Sequence, residues 1–335
     1  MVFMRIAIVK LSALGDIVHA MVVLQFIKQL NRDIMIDWIV EKNYKELLCF
    51  NPDINNVHIV NLKKAKREFS LNLLLEDFRR LHKLQVYDLV IDMQGLIKSA
   101  IISRIIPSKV TLGFDRMSVK EGVASFFYSK TFNMNYDENI VKRNFELIKF
   151  ALTLPSNFND LHNKTPFLFS GKKYIQSHLS MSKKNIVLIP GASHPSKQYP
   201  VHKFIELTKM LDANFIIIWG NHFEKKLAYE ISFDSPNVNV SNRVSLSELI
   251  SLLSKIDLVI GGDTGPTHLA WGLNIPSIML FGSTPGYRNT LTSKKNLIIE
   301  SKSLVNPNTI NKKDFSIQEI KVTEVLEAAS RLLKI

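Results

Sequence analysis

Short β-rich runs alternate with amphipathic stretches along this chain, and the alternation runs through twice. A strand, a helix and a second strand in succession join parallel neighbours. Repeated units of that kind build a mostly parallel sheet with helices on both faces. In the first half the pattern predicts strands at Arg5–Lys10, Met35–Val40, Val57–Leu62 and Leu89–Asp92. It predicts helices at Asp16–Leu30, Leu71–Leu84 and Ile97–Ile106. Residues 155–185 then carry Pro155, Asn157, Asn159, Asn163, Pro166 and Gly171, the composition of a linker. Beyond it, strands are predicted at Ile186–Ile189, Phe215–Trp219, Leu258–Ile260 and Ser277–Phe281. Helices are predicted near Val201–Leu211 and at Glu224–Ile231, Leu246–Ser254 and Thr264–Gly272. The closing stretch Ile317–Leu333 has the apolar spacing of an amphipathic helix. A length of 335 residues accommodates two such domains. The expected fold is therefore α/β, with two Rossmann-like, doubly wound domains. Ligands of such sheets bind beyond the carboxyl ends of the strands, so two facing sheets would put a cleft between the domains.

Several chemistries fall away at this level. With Cys49 as its one cysteine, the chain has no internal disulfide framework and no Cys-based zinc cluster, which fits a reducing compartment. The start runs straight into a strand pattern without the features of a secretory signal. Thr264–Tyr287, the longest stretch without Lys, Arg, Asp or Glu, is broken by three prolines, so no spanning segment is expected. There is no D-x-D, H-E-x-x-H, C-x-x-C or P-loop signature, so metal and P-loop readings drop and no metal site is expected. The formal net charge of +13 favours anionic partners: nucleic acid, phosphorylated small molecules or an anionic membrane. A basic surface kept for solubility gives the same figure.

Five segments carry groups suited to chemistry. Lys10–His19 follows the first strand and opens a helix. Its single glycine, Gly15, does not make a dinucleotide fingerprint. Asp16 sits at the helix start, where a carboxylate is favoured electrostatically, either as a cap or as a base at the floor of the site. His19 reads as a helix histidine that is packed or solvated. Gly261–His268 also runs from strand to helix. Its glycines and free N–H groups suit an anion, and Asp263 suits sugar hydroxyls or ribose. Pro190–Pro200 brings Ser193 for phosphate oxygens and Lys197 to neutralise a leaving diphosphate, unless Lys197 is a solvated loop lysine. Ile217–Glu224 puts Glu224 in a first helical turn, where it can accept from ribose hydroxyls or simply match the helix dipole. Lys63, Lys64, Lys66 and Arg67 form a basic loop before an amphipathic helix, suited to phosphates on an acceptor or a membrane, or to plain solvation.

Ile8–His19 resembles the amino-terminal motif of the bacterial heptosyltransferases, glycosyltransferase family 9. Asp263–Ala270 resembles the family's carboxy-terminal motif, and Asp92–Ala100 resembles a stretch of its type I branch rather than type II. The order and spacing of all three agree with the family over nearly the whole chain. The resemblance implies a GT-B fold. Residues 1–165 would bind the acceptor and 166–315 the nucleotide sugar, and the helix in 316–335 would pack back on the first domain. It implies an inverting enzyme of lipopolysaccharide inner-core synthesis. Such an enzyme moves L-glycero-D-manno-heptose from ADP-heptose to a Kdo sugar of Kdo2-lipid A. The type II alternative acts on a heptosylated acceptor. By position, Asp16 would be the general base. Ser193, Lys197, Glu224, Asp263, Thr264, Gly265 and His268 would bind the donor. Ser12, Lys63, Lys64, Lys66, Arg67, Gln94, Lys98 and Lys120 would bind the acceptor. Lys120 stands where an arginine is expected; it keeps the charge but loses the bidentate fork. No cofactor is implied beyond ADP-heptose as co-substrate, although stimulation by a divalent ion is compatible with the scheme. The implied location is cytoplasmic, peripheral on the inner membrane.

Two more distant readings stay open at this point. A sugar-nucleotide epimerase shares the double-Rossmann layout. A nucleic-acid binder fits the charge, but the basic residues are scattered and no helix-turn-helix or RNP motif is present, so nucleic acid is not an expected partner.

Overall fold

The computed structural model describes residues 4–174, 178–233 and 235–334. The chain divides into two compact units, Met1–Phe167 and Leu168–Ile335. The division falls two residues beyond the predicted boundary.

The first unit is built on a six-stranded sheet of β1 (Arg5–Val9), β2 (Met35–Glu41), β3 (Asn56–Val60), β4 (Tyr87–Asp92), β5 (Ser108–Phe114) and β6 (Lys130–Phe132). Its order is β3-β2-β1-β4-β5-β6, and every pairing is parallel. Ile8 in β1 pairs with Trp38 on one side and Ile91 on the other. Both faces of these central strands are buried, so their sequences read as continuous apolar runs. Ala7, Val9, Ile39 and Val90 pack on one face against Leu81 and Ile102 of the covering helices. The predicted helix Asp16–Leu30 is two segments, Leu14–Met21 and Val23–Leu30, joined through Val22. Both pack against a helix at Ile140–Leu152 that the apolar pattern did not reveal, with Phe26 and Phe145 meeting edge to face at 5.3 Å.

The second unit repeats the plan with β7 (Asn185–Ile189), β8 (Asn214–Ile217), β9 (Val238–Val240), β10 (Leu258–Gly262), β11 (Ser277–Phe281) and β12 (Asn296–Glu300). The order is β12-β11-β10-β7-β8-β9, again all parallel. In each sheet the order reverses once, between β1 and β4 and between β7 and β10. Crossovers leave in opposite directions at such a point, and a crevice opens beyond the strand ends.

Two sequence expectations are corrected here. Lys63–Arg67 is not a loop but part of a short helix, Leu62–Arg67, whose Lys63 N–H is held by Glu41 Oε1 at 2.6 Å and whose Ala65 is buried. The terminal helix, Val322–Leu333, does not put its apolar stripe on the first domain. Val325, Ala329 and Leu333 join Phe204, Leu207 and Ile260 in the core of the second unit. Ile317, just before it, lies where a Cβ on Gly282 would come within 2.6 Å, so the segment is locked in by close backbone approach. The stripe packs against the sheet and the helix Val201–Met210 within that unit. Truncating Val325 to Ala should therefore destabilise the protein by about 1–3 kcal/mol. Urea unfolding should show the loss, with amide protection falling first in residues 186–333.

Candidate active site

In the first unit the loops after β1 and β4 are tied together. Lys10 Nζ donates to the Met93 carbonyl at 2.8 Å, and the N–H groups of Leu11 and Ser12 donate to Gln94 Oε1 at 3.1 and 3.2 Å. The β4 loop is itself pinned by Asp92, which is fully buried. Its Oδ1 accepts from the N–H groups of Gln94 and Gly95 at 2.7 and 3.1 Å, and its Oδ2 from the Tyr128 hydroxyl at 2.8 Å. Burial pushes the Asp92 carboxyl up despite these bonds, and burial together with Asp92 pushes the Tyr128 phenol up as well. Gly95 has φ +69°, and a Cβ there would meet Val119 Cγ1 at 2.5 Å, so the turn admits only glycine without rearrangement.

Asp16 is half-buried at the third position of the helix Leu14–Met21. Its Oδ2 accepts from the Ala13 N–H at 3.1 Å, a capping bond, and its other oxygen is uncommitted among the described residues. One side chain thus serves both readings: half of it caps the helix and half is available to a ligand. His19, further along the helix, is buried.

The structure brings Ser12, Asp16 and Gln94 together at the β1–β4 switch point. Lys63, Lys64, Lys66 and Arg67 lie beyond the carboxyl end of β3, all exposed. Lys64 and Arg67 reach Glu68 at 3.9 and 3.1 Å, and Lys63 Nζ reaches the Tyr44 hydroxyl at 3.1 Å. Lys98 and Lys120 are exposed on separate segments. Glu41, at the carboxyl end of β2, was not anticipated. Burial raises its carboxyl, while the Lys63 N–H and the charges of Lys63 and Lys98 pull it back.

The second unit gathers its candidates more tightly. Lys197 Nζ lies 2.6 Å from Asp263 Oδ2 and donates to the Asp263 carbonyl at 3.2 Å. His268 Nε2 is 3.2 Å from Asp263 Oδ1, and the Thr284 hydroxyl donates to Oδ2 at 2.9 Å. Asn289 Nδ2 adds a contact to Oδ2 at 3.3 Å. Burial opposes the Asp263 charge, but His268 and Lys197 outweigh it and hold the carboxyl far below the usual carboxylate range. Lys197 is therefore no solvated loop lysine. Two of its three N–H donors go to Asp263, and one remains. Thr264 is the N-cap of the helix Gly265–Gly272 by position, yet its hydroxyl makes no capping bond; Pro266 has no N–H and the Thr267 N–H donates to the Thr264 carbonyl at 3.0 Å, so the helix start presents the Gly265 N–H. Gly262 must be glycine for a different reason: a Cβ there would sit 2.6 Å from the Lys197 carbonyl.

Glu224 lies in the first turn of the helix His222–Phe233, with Oε2 accepting from the Gly220 N–H at 2.6 Å. A Cβ on Gly191 would come within 2.5 Å of its Cδ, so Glu224 stands against the loop after β7. Ser193 in that loop is exposed.

This geometry meets the record of known proteins at one point. The profile described as Glycosyltransferase family 9 (heptosyltransferase) matches residues 77–317. Lipopolysaccharide heptosyltransferase 1 of Campylobacter coli is 38% identical, covering 98% of this chain and 99% of that protein. The chain belongs to glycosyltransferase family 9, the heptosyltransferases. The family 9 enzyme of the same name from Pseudomonas aeruginosa is 29% identical over 85% of this chain and 80% of its own length. Among solved structures, E. coli heptosyltransferase WaaC with ADP has a TM-score of 0.80 at 21% identity, covering 98% of this chain and 100% of its own. The two Rossmann-like units are thus those of a GT-B glycosyltransferase.

Sequence reading of this family 9 enzyme missed Thr284 and Asn289. Their signal was the small-residue turn Gly282–Gly286 directly after a correctly read strand, which places it at the same end of the sheet. The turn is bound to the β7 loop, since Ser196 Oγ and Ser283 Oγ are 3.0 Å apart. Among the described residues no group of three or more His, Cys, Asp or Glu is arranged to hold a metal ion.

The Lys197–Asp263 pair generates a prediction. Lys197→Met leaves a buried carboxylate without its cation and should cost about 3–5 kcal/mol. Because the Asp263 carboxyl is depressed on folding, its contribution is full above the ordinary aspartate range, about pH 4, and is lost progressively as pH falls below that range toward its own depressed value. The wild type should therefore lose stability below about pH 4 more steeply than Lys197→Met, as thermal unfolding from pH 7 down to about pH 2 will show.

Proposed function

We propose that this enzyme transfers L-glycero-D-manno-heptose from ADP-heptose to a Kdo sugar of Kdo2-lipid A, with inversion, in assembly of the lipopolysaccharide inner core. The observation that carries the reading is the placement of Asp16: a carboxylate with one free oxygen, at the switch point of its sheet, in a loop suspended from Gln94. The type I branch is favoured by the relatives, since those at 38% and 29% identity both carry the name lipopolysaccharide heptosyltransferase 1. The solved E. coli heptosyltransferase WaaC with ADP-2-deoxy-2-fluoro heptose, at 23% identity, shares the fold and suggests the donor class.

In this mechanism the Kdo hydroxyl oxygen attacks the anomeric carbon of heptose and passes its proton to Asp16. The new C–O bond forms as the bond to the β-phosphate oxygen breaks, and ADP departs with the electron pair from the opposite face through an oxocarbenium-like state. The remaining N–H of Lys197 and the helix start at Thr264–Gly265 meet the charge that develops on the diphosphate. Asp263 fixes Lys197 and His268 in place before the donor arrives, so no reorganisation is needed at the moment of reaction. Glu224 takes the ribose hydroxyls, and Ser193 takes a phosphate oxygen. On the acceptor side Ser12 and Gln94 hold the sugar, while Lys63, Lys64, Lys66, Arg67, Lys98 and Lys120 meet its phosphates and carboxylates. No cofactor is required beyond the co-substrate. The enzyme works at the cytoplasmic face of the inner membrane as a peripheral protein. No helix among the described residues is long and apolar enough to cross a membrane.

Asp16→Ala should lower turnover by roughly 10²–10⁴-fold, the worth of general-base assistance, while ADP affinity by calorimetry stays unchanged. Turnover near wild type would remove Asp16 from the mechanism. Incubation with ADP-heptose and Kdo2-lipid A should give an acceptor heavier by one heptose in mass spectra, in the presence of a chelator as well as without it. Transfer only to an already heptosylated acceptor would assign the type II reaction instead. Conversion of the donor without any acceptor would point to an epimerase.

A further inference from the structure

The helix Leu62–Arg67 ends in a tight turn that leads directly into the helix Leu71–His82, with Ser70 as its N-cap. Ser70 N–H donates to the Ala65 carbonyl at 3.0 Å and Phe69 N–H to the Lys66 carbonyl at 3.5 Å, the bond pattern of a left-handed helix terminus. The residue in the left-handed position is Phe69, at φ +50°, where glycine is the unstrained choice. An aromatic side chain held in this conformation would be expected to pack against something, yet Phe69 is 93% exposed. Two more apolar side chains continue from it. Leu71 is 73% and Leu75 46% exposed, one turn apart on the helix Leu71–His82, which is anchored through its buried Asp77 and Leu81. The patch is therefore an addition to a helix already held by other side chains.

What surrounds the patch says what it meets. Residues 62–83 carry seven Lys or Arg against three Asp or Glu. Lys63, Lys64, Lys66 and Arg67 are exposed on the preceding helix, and Arg79 stands one turn beyond Leu75 on the same side. Of the acidic residues, Asp77 is buried against Arg80, Glu68 is shared between Lys64 and Arg67, and Glu76 is exposed beside Leu75, so cations remain in excess around the patch. Apolar side chains flanked by an excess of cations match an anionic lipid surface: the ring side chain and leucines enter the acyl boundary while the cations meet headgroup phosphates.

We propose that Phe69, Leu71 and Leu75 form a membrane-docking patch that seats the first unit on an anionic bilayer. It rests on the lipid-linked acceptor proposed above, and it assigns a task to apolar residues that the transfer reaction does not use. Each cation near such a surface contributes about fivefold in partitioning, so binding is electrostatic in reach and apolar in depth.

The test uses the full chain, sedimented with vesicles of phosphatidylethanolamine and phosphatidylglycerol, or of phosphatidylcholine alone, with neither donor nor acceptor present. Binding is expected to the anionic vesicles and to be much weaker on phosphatidylcholine. Phe69→Gly relieves the left-handed strain, so its thermal midpoint should hold or rise while anionic vesicle binding falls at least tenfold. The double variant Leu71→Ser, Leu75→Ser should lose binding to the same extent. Wild-type binding by Phe69→Gly, equal binding to both vesicle types, or no binding at all would overturn the proposal. So would a fall in solution mass by light scattering with vesicle binding unchanged, which would give the patch to a second copy of the chain. Transfer to a soluble, delipidated Kdo acceptor is read separately. It should be unaltered in Phe69→Gly, so failure of the docking patch and failure of the proposed reaction are distinguishable.

Discussion

Parallel strands can be joined only by crossovers, and crossovers that leave a central strand in opposite directions must part at one place in the sheet. Both units of this chain obey that constraint, with orders that reverse between β1 and β4 and between β7 and β10. Asp16 and Gln94 gather at the first of those places and Lys197 and Asp263 at the second, while Glu224 and the basic cluster stand beyond neighbouring strands. In the first unit, the loops carrying Ser12 and Gln94 are stitched together by backbone N–H groups on a side-chain oxygen. In the second, the loops carrying Lys197 and Asp263 are joined by charge.

The two solutions differ in physical character. Around Asp16 the anchoring bonds are mostly neutral, and the buried carboxyl is that of Asp92, whose oxygens are filled by Gln94, Gly95 and Tyr128. One oxygen of Asp16 stays free of the framework, as its proposed role of proton acceptor requires. Around Asp263 the charges themselves are the framework. A buried carboxylate is costly to desolvate, and here it is offset by Lys197, His268, Thr284 and Asn289 together. A hydrophobic pair would fill the same space at less cost. Retaining the charges fits the proposed donor site, where a diphosphate would be met by dipoles and cations already in position.

Much of this was legible in the sequence, because the information is local. The central strands β1, β2, β4, β7, β10 and β11 are apolar on both faces and stand out within two residues of their true ends. β5, with its exposed and polar first half, the short edge strands β6 and β9 and the half-exposed edge strand β12 did not, since each carries a weaker apolar pattern. The turns following the strands were found from their glycines and polar residues, and this located Asp16, Lys197, Glu224 and Asp263. Glu41, Thr284 and Asn289 escaped because each looks ordinary in its own segment and gains its role from a partner in another.

The family resemblance, rather than local pattern, misplaced one element. The amphipathic stripe of Val322–Leu333 was evident in the sequence, but a stripe does not name the surface that covers it; that was decided by the apolar face around Phe204, Leu207 and Ile260. Likewise the basic run at Lys63–Arg67 was visible, while its helical form came from Glu41 holding the Lys63 N–H. The sequence by itself determined the two parallel sheets and the strand-end turns, since hydrophobic period and turn chemistry act over a few residues. Only the tertiary structure decided which side chains share a buried charge and which face each helix covers, because those depend on groups brought together from distant parts of the chain.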